Sequence, residues 1–201
     1  MTAAPDVAVV RTGTANTASV LAGLMRAGAA PRLSDDGKDV ARAPYVCLPG
    51  VGAFAAAMRT LDERGLAGAL AERVREGRPT LAICLGLQLL FEGSDESPGA
   101  RGLSVLAGRA ERFPDTVRVP QLGWNRIEPD EGCRYLRAGH AYFANSFRLV
   151  ERPAGYRVAL ARHAGDFVAA IEKDGVLACQ FHPELSGAFG LQLLERWLRP
   201  C

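Results

Sequence analysis

Three groups of residues in this 201-residue chain have the types and spacing for nucleophilic hydrolysis. The first centres on Cys84, in TLAICLGLQLLFEG at residues 80–93, where a strand-like apolar run gives way to a helical one. A strand running straight into a helix makes a sharp turn that exposes its central side chain, and a glycine close by, here Gly86, takes a Cβ out of the bend. The N-terminus of the following helix favours thiolate over thiol. A cysteine in an apolar run is more often a buried structural one, and that reading suits Cys47 and Cys179.

A cysteine nucleophile needs a base. The chain has three histidines, His140, His163 and His182. His140 in RAGHAY and His163 in ARHAGD fall in expected turns. His182 follows the apolar run VLACQF, at a strand end, where the catalytic groups of open α/β sheets collect. Pro183 stops the strand, and Glu184 is close enough to turn back and fix the tautomer of His182. The third group is LPGVGAF, residues 48–54, in which Gly50 and Gly52 flank Val51. Its backbone N–H groups could hold an anion, although a tight strand-to-helix turn explains the same glycines.

The elements that must carry these groups alternate. DVAVV, YVCLPG and RPTLAIC read as buried strands. NTASVLAGLMRAGA, AFAAAMRTLDERG, LAGALAERVREG and LGLQLLFEG read as helices, with Gly28 capping the first. Such alternation predicts an α/β fold: a mostly parallel central sheet, helices on both faces and a nucleophile elbow at Cys84. From about residue 103 the texture changes to short strand-like runs, LSVLAGRAERF, YFANSFRLV, YRVALAR, FVAAIEKDG and VLACQF, and a last helix AFGLQLLERWLR. No repeat or linker divides the chain, so residues 1–201 are expected to form one domain.

Composition excludes several classes. Hydrophobic residues make up 48% and charged ones 23%, and the formal net charge is +2. That charge is too small to indicate nucleic acid or an anionic membrane. No apolar stretch is long enough to span a bilayer, and MTAAPDVAVV lacks the pattern of a signal peptide. The five cysteines, at 47, 84, 133, 179 and 201, are odd in number and contain no C-x-x-C pair. They predict free thiols, no disulfide framework, no metal site and a cytoplasmic protein.

Together, AICLGLQLLFEGSDES, LPGVGAF, PQLGWN and QFHPELSG resemble the triad (class I) glutamine amidotransferases, over nearly the whole chain. LPGVGAF and GWN are similar to the glutaminase subunits that serve a cyclase in histidine biosynthesis. The resemblance implies Cys84 as nucleophile, His182 as base and Glu184 as its orienting acid. It implies an oxyanion site at Gly50, Val51, Gly52 and the Leu85 N–H, and glutamine contacts at Gln88, Glu96, Ser146 and Phe147. It implies no cofactor and no metal. The partner implied is a cyclase with a (β/α)8 barrel, which uses the ammonia to make imidazole glycerol phosphate and aminoimidazole carboxamide ribotide; no nucleic acid or membrane is implied. Several positions depart from the family pattern: Arg11, Ala82, Gln121, Asn145 and Leu185. Two other readings share these motifs, an amidotransferase feeding another acceptor synthase and a non-catalytic regulatory homologue. The intact Cys84, His182 and Glu184 weigh against the second.

Overall fold

A computed structural model describes residues 3–13 and 16–199. The first half winds strand and helix alternately: β1 (Asp6–Val10), α1 (Thr17–Arg26), β2 (Ala30–Ser34), α2 (Gly37–Arg42), β3 (Tyr45–Leu48), α3 (Phe54–Glu63), α4 (Leu66–Arg75), β4 (Thr80–Ile83) and α5 (Leu85–Leu89). The second half is mainly strand: β5 (Gly93–Ser94), β6 (Arg109–Arg112), β7 (Gln121–Pro129), β8 (Gly139–Asn145), β9 (Phe147–Arg148), β10 (Arg157–Arg162), β11 (Asp166–Lys173) and β12 (Val176–Cys179), closed by α6 (Gly187–Leu198).

The main sheet has nine strands in the order β2-β1-β3-β4-β12-β11-β10-β7-β8. From β2 to β12 every neighbour is parallel, as the alternation predicts. From β12 outward the pairing is antiparallel, which accounts for the run of short strands late in the chain. β5, β6 and β9 make a small separate sheet.

Both faces of the parallel half are covered. Along β1, Ala8 and Val10 join the core under α2, α3 and α4, whereas Val7 and Val9 join the core under α1 and α6. Burial on both faces is why β1, β3 and β4 read as continuous apolar runs instead of alternating ones. Arg73, only 1% exposed, is held inside by bonds to the carbonyls of Val40, Ala43, Pro44 and Pro79. Burial pulls its guanidinium down to about 10. Among the described residues, no helix is long and apolar enough to cross a membrane.

Some elements differ from the sequence reading. β2, α2 and β7 carry no expectation above. In LSVLAGRAERF only Arg109–Arg112 is a strand. His140 lies in β8, not in a turn.

Candidate active site

Cys84 sits in a strained turn between β4 and α5, with φ 54 and ψ −108. That left-handed φ costs a residue with a side chain about 1–3 kcal/mol, and the surroundings must enforce it. Two backbone bonds do so: the Cys84 N–H donates to Cys179 at 2.7 Å, and its carbonyl accepts from Leu87 at 3.1 Å. Gly86 is dictated by close approach, since a Cβ there would lie 2.2 Å from the Leu48 carbonyl oxygen. α5 ends at Leu89, well short of the helix expected through residue 93. The favourable field at the sulfur therefore comes from a single turn of N–H groups, not from a long helix.

β12 points the second group at this turn. Beyond Cys179 the chain bends through Gln180 and Phe181 to an extended His182, and Pro183 opens a 3-10 turn over Pro183–Leu185. The His182 N–H donates to Tyr142 at 2.9 Å, which ties it to β8. Its Nδ1 lies 2.9 Å from Glu184 Oε1. With Nδ1 committed to the carboxylate, Nε2 is the nitrogen left for sulfur. Burial disfavours the imidazolium, but Cys84 and Glu184 outweigh it and raise His182 from 6.5 to about 10. That elevation favours the charged ring. α1 backs the acid: Arg26 donates to the Glu184 carbonyl at 3.3 Å, and a Cβ on Gly23 would come within 2.9 Å of Glu184 Cβ.

The other histidines are elsewhere. His163 binds the Arg118 carbonyl at 2.9 Å and meets Phe113 edge-to-face. His140 is exposed on β8, opposite Arg126.

The glycine loop rests in the polarity that glycines on both sides of Val51 make cheap. Gly50 turns its carbonyl, not an N–H, toward the elbow and accepts the Leu85 N–H at 3.3 Å. In this conformation Gly50 and Leu85 satisfy each other and offer no ready anion site. Gly50 is required by proximity, because a Cβ would meet Gly86 N at 2.6 Å and Leu85 Cβ at 2.7 Å. Gly52 has φ 101, a value that suits only glycine at low cost.

Val51 separates two cavities. One, of about 200 Å³, is lined by Cys84, Leu85, Gln88, Glu96, Ser146 and Phe147, together with Val51 and Gly52. The four expected glutamine contacts thus surround the thiol. Glu96 also has a structural task, because its Oε2 accepts the first N–H of α3, from Phe54, at 2.7 Å. The second cavity, of about 270 Å³, is lined by Asn16, Val51, Tyr142, His182, Glu184 and Leu185, among others. Among the described residues, no cluster of His, Cys, Asp or Glu could hold a metal ion.

The family model for class-I glutamine amidotransferases matches residues 37–200. The chain belongs to the class-I glutamine amidotransferase family. It is 38% identical to the imidazole glycerol phosphate synthase subunit HisH of Geobacillus thermodenitrificans, over 96% of this chain and 94% of that protein. Against the HisH subunit of Deinococcus radiodurans the identity is 37%, over 98% and 94%. Against that of Lactiplantibacillus plantarum it is 45%, over 81% and 80%. A solved glutamine amidotransferase shares the fold with a TM-score of 0.75 at 24% identity, covering 95% of this chain and 98% of that one.

In this class-I amidotransferase the departures fall in different settings. Ala82 is buried in β4, and Arg11 is exposed beyond β1. Gln121 and Asn145 face each other across β7 and β8, and both are buried. Leu185 is 43% exposed at the mouth of the second cavity. One residue at the amidotransferase site escapes the sequence reading. Gln180 is fully buried, donates Nε2 to Cys84 Sγ at 3.5 Å and accepts Gln88 Nε2 at 2.9 Å. Its signal is a lone polar side chain in an apolar strand end, which must find partners.

Proposed function

We propose that this chain is the glutaminase subunit of an imidazole glycerol phosphate synthase, and that Cys84, His182 and Glu184 release ammonia from glutamine. The observation that carries the reading is the strained cysteine at a strand-to-helix turn, beside a buried histidine that is itself bonded to a buried carboxylate.

Glutamine enters the cavity beside Cys84, held by Gln88, Glu96, Ser146 and Phe147. The Cys84 sulfur, as thiolate, attacks the side-chain amide carbon and the carbonyl oxygen becomes an oxyanion. His182, already protonated, gives its proton to the departing nitrogen, and ammonia leaves a thioester. Glu184 keeps Nε2 aimed at that nitrogen. Water then attacks the thioester, His182 takes its proton, and glutamate leaves with the thiolate restored. The oxyanion needs donors from the Gly50–Gly52 loop and Leu85, so the Gly50 carbonyl must first turn away.

Ammonia passes to a cyclase with a (β/α)8 barrel, in the cytoplasm. Support for the docking face comes from apolar exposure around the second cavity: Leu185 at 43%, and Trp124 at 58%, edge-to-face with Tyr142. The test is glutamate release from glutamine by this chain with its cyclase and the ribotide acceptor. Release that depends on Cys84 is expected, and none in the assembled complex would refute the proposal.

A further inference from the structure

The carbonyl oxygen of Phe147 can only accept hydrogen bonds. Two side-chain amides turn their nitrogens to it, Asn145 Nδ2 at 2.9 Å and Gln88 Nε2 at 3.4 Å. With its nitrogen so placed, Gln88 has a second N–H for Gln180, whose Oε1 accepts it at 2.9 Å. An amide that accepts through its oxygen presents its nitrogen on the other branch. That nitrogen lies 3.5 Å from Cys84 Sγ.

Each amide orientation therefore follows from a backbone group that has no choice of role. Flipping Gln180 would set nitrogen against nitrogen at Gln88 and oxygen against sulfur at Cys84. Gln88 and Gln180 are 4% and 0% exposed, so such mispairing would be costly.

We infer that Gln180 is a positioning residue, and that the relay from Phe147 through Gln88 imposes a neutral hydrogen-bond donor on the Cys84 sulfur. Gln180 is not among the residues lining the glutamine cavity, so it acts through sulfur alone. A donor on sulfur favours thiolate over thiol. His182 supplies a donor too, but on the proposed mechanism it gives its proton away during each turnover. The Gln180 donor stays through the cycle and holds the sulfur when it leaves the thioester. The value of this device rests on the glutaminase reading; its existence does not.

The test is the rate of Cys84 alkylation by iodoacetamide as a function of pH, without glutamine. Peptide mass spectrometry separates Cys84 from the other thiols. Gln180→Met keeps the bulk and removes the donor; Gln180→Glu keeps the shape and puts an anionic acceptor at the sulfur. The midpoint should rise by about one pH unit in Gln180→Met, a roughly tenfold loss of thiolate below the midpoint, and by more in Gln180→Glu. Gln88→Met frees Gln180 to turn and should raise it by a smaller step. A purely structural Gln180 would leave the midpoint of Gln180→Met unmoved, and an unmoved midpoint in folded Gln180→Met overturns the inference. If the wild-type complex fails to hydrolyse glutamine while these midpoints still shift, the glutaminase reading falls and the relay stands.

Discussion

The backbone N–H of Leu85 donates to the carbonyl of Gly50 across 3.3 Å, so the elbow and the glycine loop consume each other's polar groups. On the proposed mechanism Leu85 is an oxyanion donor, and the loop must turn before it is free. Isolated, the chain should hydrolyse glutamine slowly. Adding cyclase and acceptor should raise the rate by about 10²–10³, the worth of one such donor. Fast hydrolysis by the isolated chain would show that the carbonyl is no obstacle.

Removing the nucleophile should divide the two half-reactions. Cys84→Ala is expected to abolish glutamine-driven synthesis in the complex while synthesis from added ammonium salt persists. Residual glutamine-driven turnover above background would place the nucleophile elsewhere.

His182 is raised from 6.5 to about 10. The folded chain thus binds this proton more tightly than the unfolded one. Its contribution to stability is whole below about pH 6.5 and fades as pH rises toward 10. Activity should decline over the alkaline part of that window as the proton needed by the leaving nitrogen is lost. In Cys84→Ala, which removes part of what raises it, the His182 imidazole should titrate lower by NMR. An equal midpoint in the two proteins would assign the elevation to Glu184 alone.

Glu96 caps α3 from a distance and also lines the thiol cavity. Glu96→Ala should therefore lower stability by about 1 kcal/mol, the usual cost of a lost N-cap, and raise KM for glutamine. A change in KM with no change in thermal stability would mean that the bond to Phe54 is worth nothing.

Leu185 stands 43% exposed on the face that carries Tyr142 and Trp124. Burying the part still exposed against a partner is worth about 1 kcal/mol. Leu185→Lys should weaken cyclase binding by roughly tenfold or more in calorimetric titration. Equal or tighter binding would place an acid, not an apolar patch, opposite this position.

The parts of the fold that the sequence makes legible are those buried on two sides. β1, β3 and β4 are apolar throughout, and an elbow at Cys84 follows from where one period ends and another begins. β2 is a sheet edge interrupted by Pro31 and Arg32, with only Ser34 buried, so it lacks a strand pattern. α2 buries only Val40. β7 exposes Leu122 and Trp124, which blurs inside and outside. At the site, residue types announce Cys84, His182 and Glu184, and the glycines on both sides of Val51 point to a loop that rests with a carbonyl inward, whereas one feature needs coordinates. The part played by Gln180 depends on a chain of amides that meet only after β12 has been laid beside β4.

Gly50 and Gly86 also restrict how this chain can change over time. A methyl on Gly86 would strike the Leu48 carbonyl, and one on Gly50 would strike Gly86 and Leu85. Gly86 is fixed by the end of β3 and is in turn one reason Gly50 cannot be replaced, so an enlargement at either position meets backbone that cannot give way. The loop and the elbow form one inheritable unit. A mutant library aimed at faster ammonia release has to vary Val51 while leaving the glycines around it alone.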